Sequence, residues 1–479
     1  MRKEPRAIQS IVSTITLLML FISTLAPASS LAQKRSGKAS AANNSSSALP
    51  AFHRDAEVAR MLAEIDARNI ERTIRKLVSF GTRNTLSEQD NPARGIGAAR
   101  DWIYSELLKI RADSGGRLIV DKQTYKQEKA PRVPQETMIT NLVATLPGEQ
   151  DESEHRIYVV SGHYDSMCTS PTDEKCDAPG ANDDASGVAA MLEMARVMSK
   201  RKFDATIIFM AVAGEEQSLL GSTYFAEQAK QKNLNVEAMF TNDIIGNTLS
   251  MSGVRDRRTV RVFSEGVPTN ETEAEANVRR GVGGENDSAS RQLARFIKQA
   301  GEAYVPTMNV MMVYRRDRYL RGGDHIPFLE RGFPAVRFTE PSENYNHQHQ
   351  NVRIENGVQF GDLPEFVDFA YIAQVARINA ASLSTLALAP AMPKNVGIVT
   401  KRLTTDTDLQ WDANKEPDLV GYEIVWRETT SPVWTNARMV GNVTSYTMQA
   451  MSKDNYFFGV RAVDKDGNRS PVSFPRPVR

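Results

Sequence analysis

Short, fully apolar runs separated by longer amphipathic ones constrain this 479-residue chain more than any other feature. IYVVSG at 157–162 and ATIIFMAV at 205–212 carry apolar residues at successive rather than alternate positions. A strand that is apolar on both faces has to be covered on both, which is the condition of a parallel or mixed sheet between helical layers. ASGVAAMLEMARVM at 185–198 repeats its apolar residues at helical spacing, and segments at 218–230 and 288–303 continue the rhythm. Further strand-like runs stand at 118–125, 138–146, 236–241, 309–314 and 334–340. The expected fold class is therefore α/β: a three-layer domain at 51–385 around a mostly parallel mixed central sheet. Helical patterns precede its first strand at 52–78 and 96–110, and an amphipathic helix at 361–379 closes it. In such sheets ligands sit beyond the carboxyl ends of the strands, so polar residues there are the first place to look for chemistry.

The two ends of the chain read differently. Arg2, Lys3 and Arg6 precede an apolar run from Ile11 to Ile22, and small residues follow at Ala26, Ala28, Ser30 and Ala32. This is the pattern of a secretory signal peptide at 1–32. The run is too short for a comfortable membrane span, and no second long apolar stretch follows. The expected location is secreted or periplasmic, with no transmembrane segment after cleavage and a flexible polar segment at 33–50. In an oxidising compartment the only two cysteines, Cys168 and Cys176, are candidates for one disulfide. Two cysteines also exclude a thiolate metal cluster. Lys and Arg number 59 against 58 Asp and Glu, a balance that argues against nucleic acid held by charge.

ALAPAMPKN at 387–395 marks a boundary, with a linker at 386–392 and a separate unit at 393–479. That unit has short strand-like runs and three of the four tryptophans, Trp411, Trp426 and Trp434. It resembles a fibronectin type III sandwich, with Trp411 and Tyr456 in its core, and is expected to fold independently. Residues 251–288 contain one strand-like run at 259–264 and are otherwise polar, as in a surface insertion.

Rare residues gather where the strands of the first domain end. His163 and Asp165 follow the run at 157–162, Asp183 and Asp184 precede a helix, Glu215 and Glu216 follow Gly214, and Asp243 follows EAMFTN. Of six histidines, four lie in the segments HYDS, GGDH and NHQHQ. Clustered His and carboxylates with intervening Gly suggest metal ligation more than packing. Singly they are weak: an Asp at a helix start is ordinarily an N-cap, and Glu215–Glu216 reads also as a solvated helix N-terminus.

Over about 135–380 these segments together resemble the co-catalytic zinc aminopeptidases typified by bacterial leucyl aminopeptidase. Glutamate carboxypeptidase and glutaminyl cyclase belong to the same superfamily. The motifs are His163-Tyr164-Asp165-Ser166, the segment Ala178 to Gly187, Glu215-Glu216 with Gly221-Ser222, Asp243, and the closing His347. The resemblance implies two Zn2+ per chain. His163 and Asp243 hold one zinc, Glu216 and His347 the other, and Asp183 bridges them. Glu215 is then the general base, and Asp165 orients His163. The last motif departs from the family, with Gln348 and Asn351 in place of Thr and Asp and a second histidine, His349, two positions on. Spacing from Tyr345 favours His347 as the ligand and leaves His349 to the pocket or its rim. Tyr319 and Arg321 are substrate-binding candidates, and His325 in GGDH reads first as a helix N-cap supporting the site and then as a substrate-binding candidate.

The implied function is a secreted metallo-aminopeptidase acting on peptides with a free N-terminus. Ile326, Phe328, Phe333 and NVMMVY at 309–314 suggest an apolar first residue. The alternatives are a metallo-carboxypeptidase or glutaminyl cyclase on the same fold, and a non-enzymatic extracellular binding protein. The C-terminal unit is assigned contact with a surface or polymer.

Overall fold

Eight strands form the central sheet of the computed structural model, which describes residues 48–479. The expected signal peptide and nearly all of the polar segment at 33–50 lie outside the described residues. The strands are β1 (Ile119–Gln127), β2 (Thr137–Leu146), β3 (Arg156–His163), β4 (Thr206–Val212), β5 (Asn235–Asn242), β6 (Thr259–Phe263), β7 (Asn309–Val313) and β8 (Ala335–Thr339), in spatial order β1-β2-β4-β3-β5-β8-β6-β7. The middle of the sheet, β4-β3-β5-β8, is parallel. β1 and β2 add antiparallel strands on one side, and β6 runs antiparallel to β8 on the other.

Period-two geometry explains how two apolar faces arise from continuous apolar runs. In β3, Tyr158 and Val160 face one core while Ile157 and Val159 face the other. In β4, Ile207, Phe209 and Ala211 take the first side and Ile208, Met210 and Val212 the second. Nine α-helices are described: α1 (Ala56–Ala63), α2 (Ala67–Val78), α3 (Gly95–Asp113), α4 (Ala185–Met198), α5 (Leu220–Gln231), α6 (Glu273–Val282), α7 (Ala289–Tyr304), α8 (Ile326–Glu330) and α9 (Phe369–Leu388). The first core is covered by helices including α4, α7 and α9, the second by α5 and α8. Among the described residues no helix is long and apolar enough to cross a membrane.

Three local differences from expectation have physical causes. The stretch read as a polar insertion contains α6, whose Thr272 and Glu275 form a reciprocal capping box. α9 begins after 361–368, because Pro364 sits in a short 3-10 turn and Asp368 supplies the N-cap, accepting from the Tyr371 N–H. It then runs into the stretch expected as a linker, where Leu386 and Ala387 are buried and the Ala387 carbonyl accepts from the N–H groups of Asp204 and Ala205. A hairpin of β9 (Arg353–Glu355) and β10 (Val358–Phe360) precedes it.

The C-terminal strands are β11 (Gly397–Val399), β12 (Thr407–Gln410), β13 (Leu419–Glu428), β14 (Asn436–Gly441), β15 (Ser445–Met448), β16 (Tyr456–Asp464) and β17 (Arg476–Val478). They form one sheet of four, β15-β12-β11-β17, and one of three, β14-β13-β16. Trp411, Tyr422, Ile424, Trp426 and Phe458 share the core, and Tyr456 packs at its edge. Trp434 turns instead toward the larger domain, where its Nε1 donates to Gln292 Oε1 at 3.0 Å. Beside it Arg427 and Arg295 both pair with the buried carboxylate of Asp287 at 2.8 Å. The C-terminal unit is thus tied to α7 and its cap by buried polar contacts, which its expected independence did not anticipate. Replacing Gln292 by Leu strands the buried indole N–H and should cost about 1–3 kcal/mol of stability. Urea unfolding measures this, and an unchanged midpoint would contradict it.

Cys168 and Cys176 are bonded, closing a loop over a sequence separation of 8. The loop is held at the end of the sheet, since Pro171 O accepts from Asn84 Nδ2 and Gln217 Nε2, and the Thr169 N–H donates to Asn351 Oδ1. Replacing both cysteines by Ser should lower stability by about 2–3 kcal/mol through the freed unfolded chain. Denaturation with and without reductant should show that loss in the native protein alone.

Candidate metal centre

The parallel register delivers the site. β3 ends on His163, which stands opposite Val212 of β4, so the turn after β4 brings Glu215 and Glu216 alongside. Gly214 supplies that turn at φ +77°, a backbone conformation that disfavours side chains. Asp243 directly follows β5, and its N–H donates to Phe338 O of β8 at 3.2 Å. Asp183 and Asp184 are joined by a cis peptide immediately before α4. Asp184 is the N-cap: its Oδ1 accepts from the Gly187 N–H at 2.9 Å and its Oδ2 from the His163 N–H at 3.0 Å. A Cβ on Gly187 would lie 2.1 Å from the Asn242 carbonyl, so glycine permits the helix to start this close to β5.

Two three-residue groups result, with Asp183 common to both. His163 Nε2 lies 3.1 Å from Asp183 Oδ1 and 3.9 Å from Asp243 Oδ1. His349 Nε2 lies 2.9 Å from Asp183 Oδ2 and 3.2 Å from Glu216 Oε1. The two oxygens of one carboxylate therefore serve opposite sides. His163 Nε2 and Glu216 Oε1 are buried without a well-formed hydrogen bond, as expected of atoms whose partner is a cation. The nitrogen and oxygen donors suit zinc. Two ions sharing Asp183 fit the residues present.

The electrostatics agree. Burial, reinforced by Asp243 and Glu216, pushes the Glu215 carboxyl well above its ordinary range. The charge of Glu216, with that of Asp183, outweighs burial and holds the His349 imidazolium up to about 11. Burial works against protonated His163, yet Asp165 and Asp183 outweigh it and raise that ring too. Without metal, protons on the imidazoles neutralise the carboxylates. A divalent cation would displace those protons, which couples metal affinity to pH.

Several residues stand elsewhere than expected. His347 is not beside the carboxylates; its ring stacks on Phe366 with centroids 3.6 Å apart. His349 takes its place because residues 344–348 form a tight turn and His349 itself has φ +49°, which swings its side chain back toward Asp183. The spacing from Tyr345 could not reveal this reversal. Asp165 does more than orient His163. The imidazole Nδ1 is nearer its backbone carbonyl, at 3.2 Å, than its carboxylate, at 3.5 Å. The carboxylate instead accepts from the N–H groups of Glu215 at 3.3 Å and Glu216 at 3.1 Å, fixing the turn that presents both acids.

His325 is the N-cap residue of α8, as expected, and is fully buried with Nε2 2.8 Å from Arg316 O. Tyr319 is 77% exposed, and its hydroxyl accepts from Arg315. Arg321 reaches Glu343 at 3.5 Å. Ile326 and Phe328 belong to the core beneath α5, with Phe333 packed against it, and so do not supply the apolar subsite expected of them.

Supporting residues emerge that the motifs did not single out. Asp362 accepts from the N–H groups of Asn182 and Asp183, holding the bridging residue in place. Buried Arg83 donates to Tyr164 O at 2.7 Å and Gly180 O at 2.9 Å, tying the His163 and Asp183 loops together. Neither carries a periodic signal, since both sit in irregular segments.

Residues 141–356 match Peptidase family M28. A relative from Leptosphaeria maculans, named "probable zinc metalloprotease", is 49% identical over 421 residues, covering 88% of this chain and 97% of its own. A protein of the same description from Pyrenophora teres f. teres is 48% identical, covering 88% of each chain. Among solved structures, the LapA aminopeptidase of Legionella pneumophila is similar at 21% identity and a TM-score of 0.48, over 71% of this chain and 77% of that one.

Proposed function

Because the chain belongs to peptidase family M28, we propose that it is a secreted two-zinc aminopeptidase that hydrolyses the first peptide bond of substrates with a free N-terminus. The observation that carries this reading is Asp183, whose two carboxylate oxygens face His163 on one side and His349 on the other. His163, Asp183 and Asp243 would hold one ion; Asp183, Glu216 and His349 the other. Zinc there supplies Lewis acidity toward the scissile carbonyl and makes water acidic near neutral pH.

The protein's own contribution is proton management and charge. Glu215 lies next to the ligand Glu216 but belongs to neither ligand group, so its carboxylate is free to accept a proton. As water oxygen bonds to the carbonyl carbon, Glu215 takes a proton from it. As the C–N bond breaks, the same proton passes to the departing amine nitrogen. The buried carboxylates set a negative field that favours an α-ammonium group and opposes a substrate carboxylate. Secretion agrees with the disulfide at Cys168–Cys176. The C-terminal pair of sheets fits a fibronectin type III sandwich, whose outer surface is available for attachment.

Peptides that are free at both ends, blocked at the N-terminus, or blocked at the C-terminus separate the possibilities. Release from both free-amine substrates, with none from the N-blocked one, is expected. Cleavage that requires a free C-terminus would indicate a carboxypeptidase, and cyclisation of N-terminal glutamine a glutaminyl cyclase. A panel of amino-acid amides then tests the apolar preference read from the sequence, which can no longer rest on Ile326, Phe328 and Phe333 because these lie in or against the core; a maximum at Lys, Arg or Glu would contradict it.

A further inference from the structure

Arg337 is a charged residue inside β8, in a strand whose every residue is buried. Its backbone lies opposite Thr241 of β5 and Phe263 of β6, so it stands in the interior of the sheet with no solvent exposure. Burying a guanidinium costs several kcal/mol unless it is paired, and an unpaired one is not retained by chance packing. Three oxygens answer it: Asp317 Oδ2 at 3.2 Å and Gly322 O at 2.6 Å accept hydrogen bonds from Nη1, and Asp243 Oδ1 forms an ion pair with Nη2 at 2.9 Å. Gly323 closes over the arrangement, for a Cβ there would lie 2.8 Å from Arg337 Nη1 and 3.2 Å from Asp243 Oδ2. Arg337 pairs with a carboxylate of the two ligand groups, whereas Arg132 reaches only the backbone carbonyl of Glu216.

We propose that Arg337 is a positioning residue for metal binding: it bridges Asp317 and Asp243 and thereby holds the Asp243 carboxylate where, with His163 and Asp183, it can bind zinc. This rests on the two-zinc reading above. The contact engages Asp243 Oδ1 near His163 and stops the carboxylate from rotating away into the acidic cluster. Asp317 is the anchor. It lies on the loop before Gly322, with its Oδ1 capped by the Arg318 N–H, so the guanidinium is fixed from behind while its other nitrogen fixes Asp243. The planar fork makes this double contact; an ammonium, as a point charge, does not reproduce it. Partners that orient metal ligands are commonly worth 10- to 100-fold in metal affinity, so the effect is expected at the His163–Asp243 position and not at the Glu216–His349 position.

Zinc titration of the full chain against a chromophoric chelator reads each affinity directly, without reference to turnover. Wild-type protein should bind two equivalents. Arg337→Gln should bind one with unchanged affinity and the other about 10- to 100-fold more weakly. The cobalt(II) absorption bands of the weakened position should change with it. Asp317→Asn removes the anchor's charge but leaves the Asp243 contact, so the same position should weaken by less than in Arg337→Gln while the Glu216–His349 position holds. Should Arg337→Gln not fold, Arg337→Lys carries the test, with an intermediate loss at one position. Two wild-type affinities in Arg337→Gln, or in Arg337→Lys where that variant stands in, would overturn the inference while leaving the two-zinc reading intact. A wild-type protein that binds no zinc would overturn that reading and the inference with it.

Discussion

Replacing Glu215 by Gln should lower kcat by about 10²–10⁴-fold and leave both zinc equivalents in place. The amide keeps the size of the side chain and removes its capacity to carry a proton. Zinc content should persist because Glu215 belongs to neither ligand group. The turn should persist as well, because Asp165 holds it through the main-chain N–H groups of Glu215 and Glu216. Glu216→Gln should behave in the opposite sense, losing zinc affinity at the His349 position. Metal analysis alongside single-substrate kinetics distinguishes the two, and loss of metal from Glu215→Gln alone would exchange their roles.

A second large effect separates the neighbouring histidines. His349→Ala should lose one zinc equivalent and reduce turnover by about 10²-fold or more, because one of the three groups facing that ion is gone. His347→Ala removes a ring stacked on Phe366 and should retain both equivalents. Asp183→Asn should weaken both positions together, since each of its oxygens faces a different histidine. Equal metal loss in His347→Ala and His349→Ala would show that the turn at 344–348 acts as a unit rather than through one side chain.

Much of this architecture could be read from residue order because the forces that set it are periodic. All-apolar runs at 157–162 and 205–212 demanded two covered faces, and the eight strands and the helix at 185–198 appear where the pattern places them. His163, Asp183, Glu215, Glu216 and Asp243 were legible because rare residues recur at strand ends, where a parallel sheet must collect them. What escaped was set by nonperiodic geometry. The choice between His347 and His349 turned on one left-handed residue. Asp362 and Arg83 act through main-chain groups distant in sequence, which spacing cannot encode. Arg337 did leave a signal, a lone charge within AVRFT at 335–339, but its partners Asp243 and Asp317 become visible only in three dimensions. The same holds for Trp434 and Arg427, whose partners at Gln292 and Asp287 lie in another part of the chain.

The most direct test of the central claim is metal content measured together with turnover of a free-amine peptide as zinc is restored to chelated protein. One bridging carboxylate between two histidine-bearing groups predicts two equivalents of zinc in the fully active protein. Full activity at one equivalent, with no second ion bound, would contradict it.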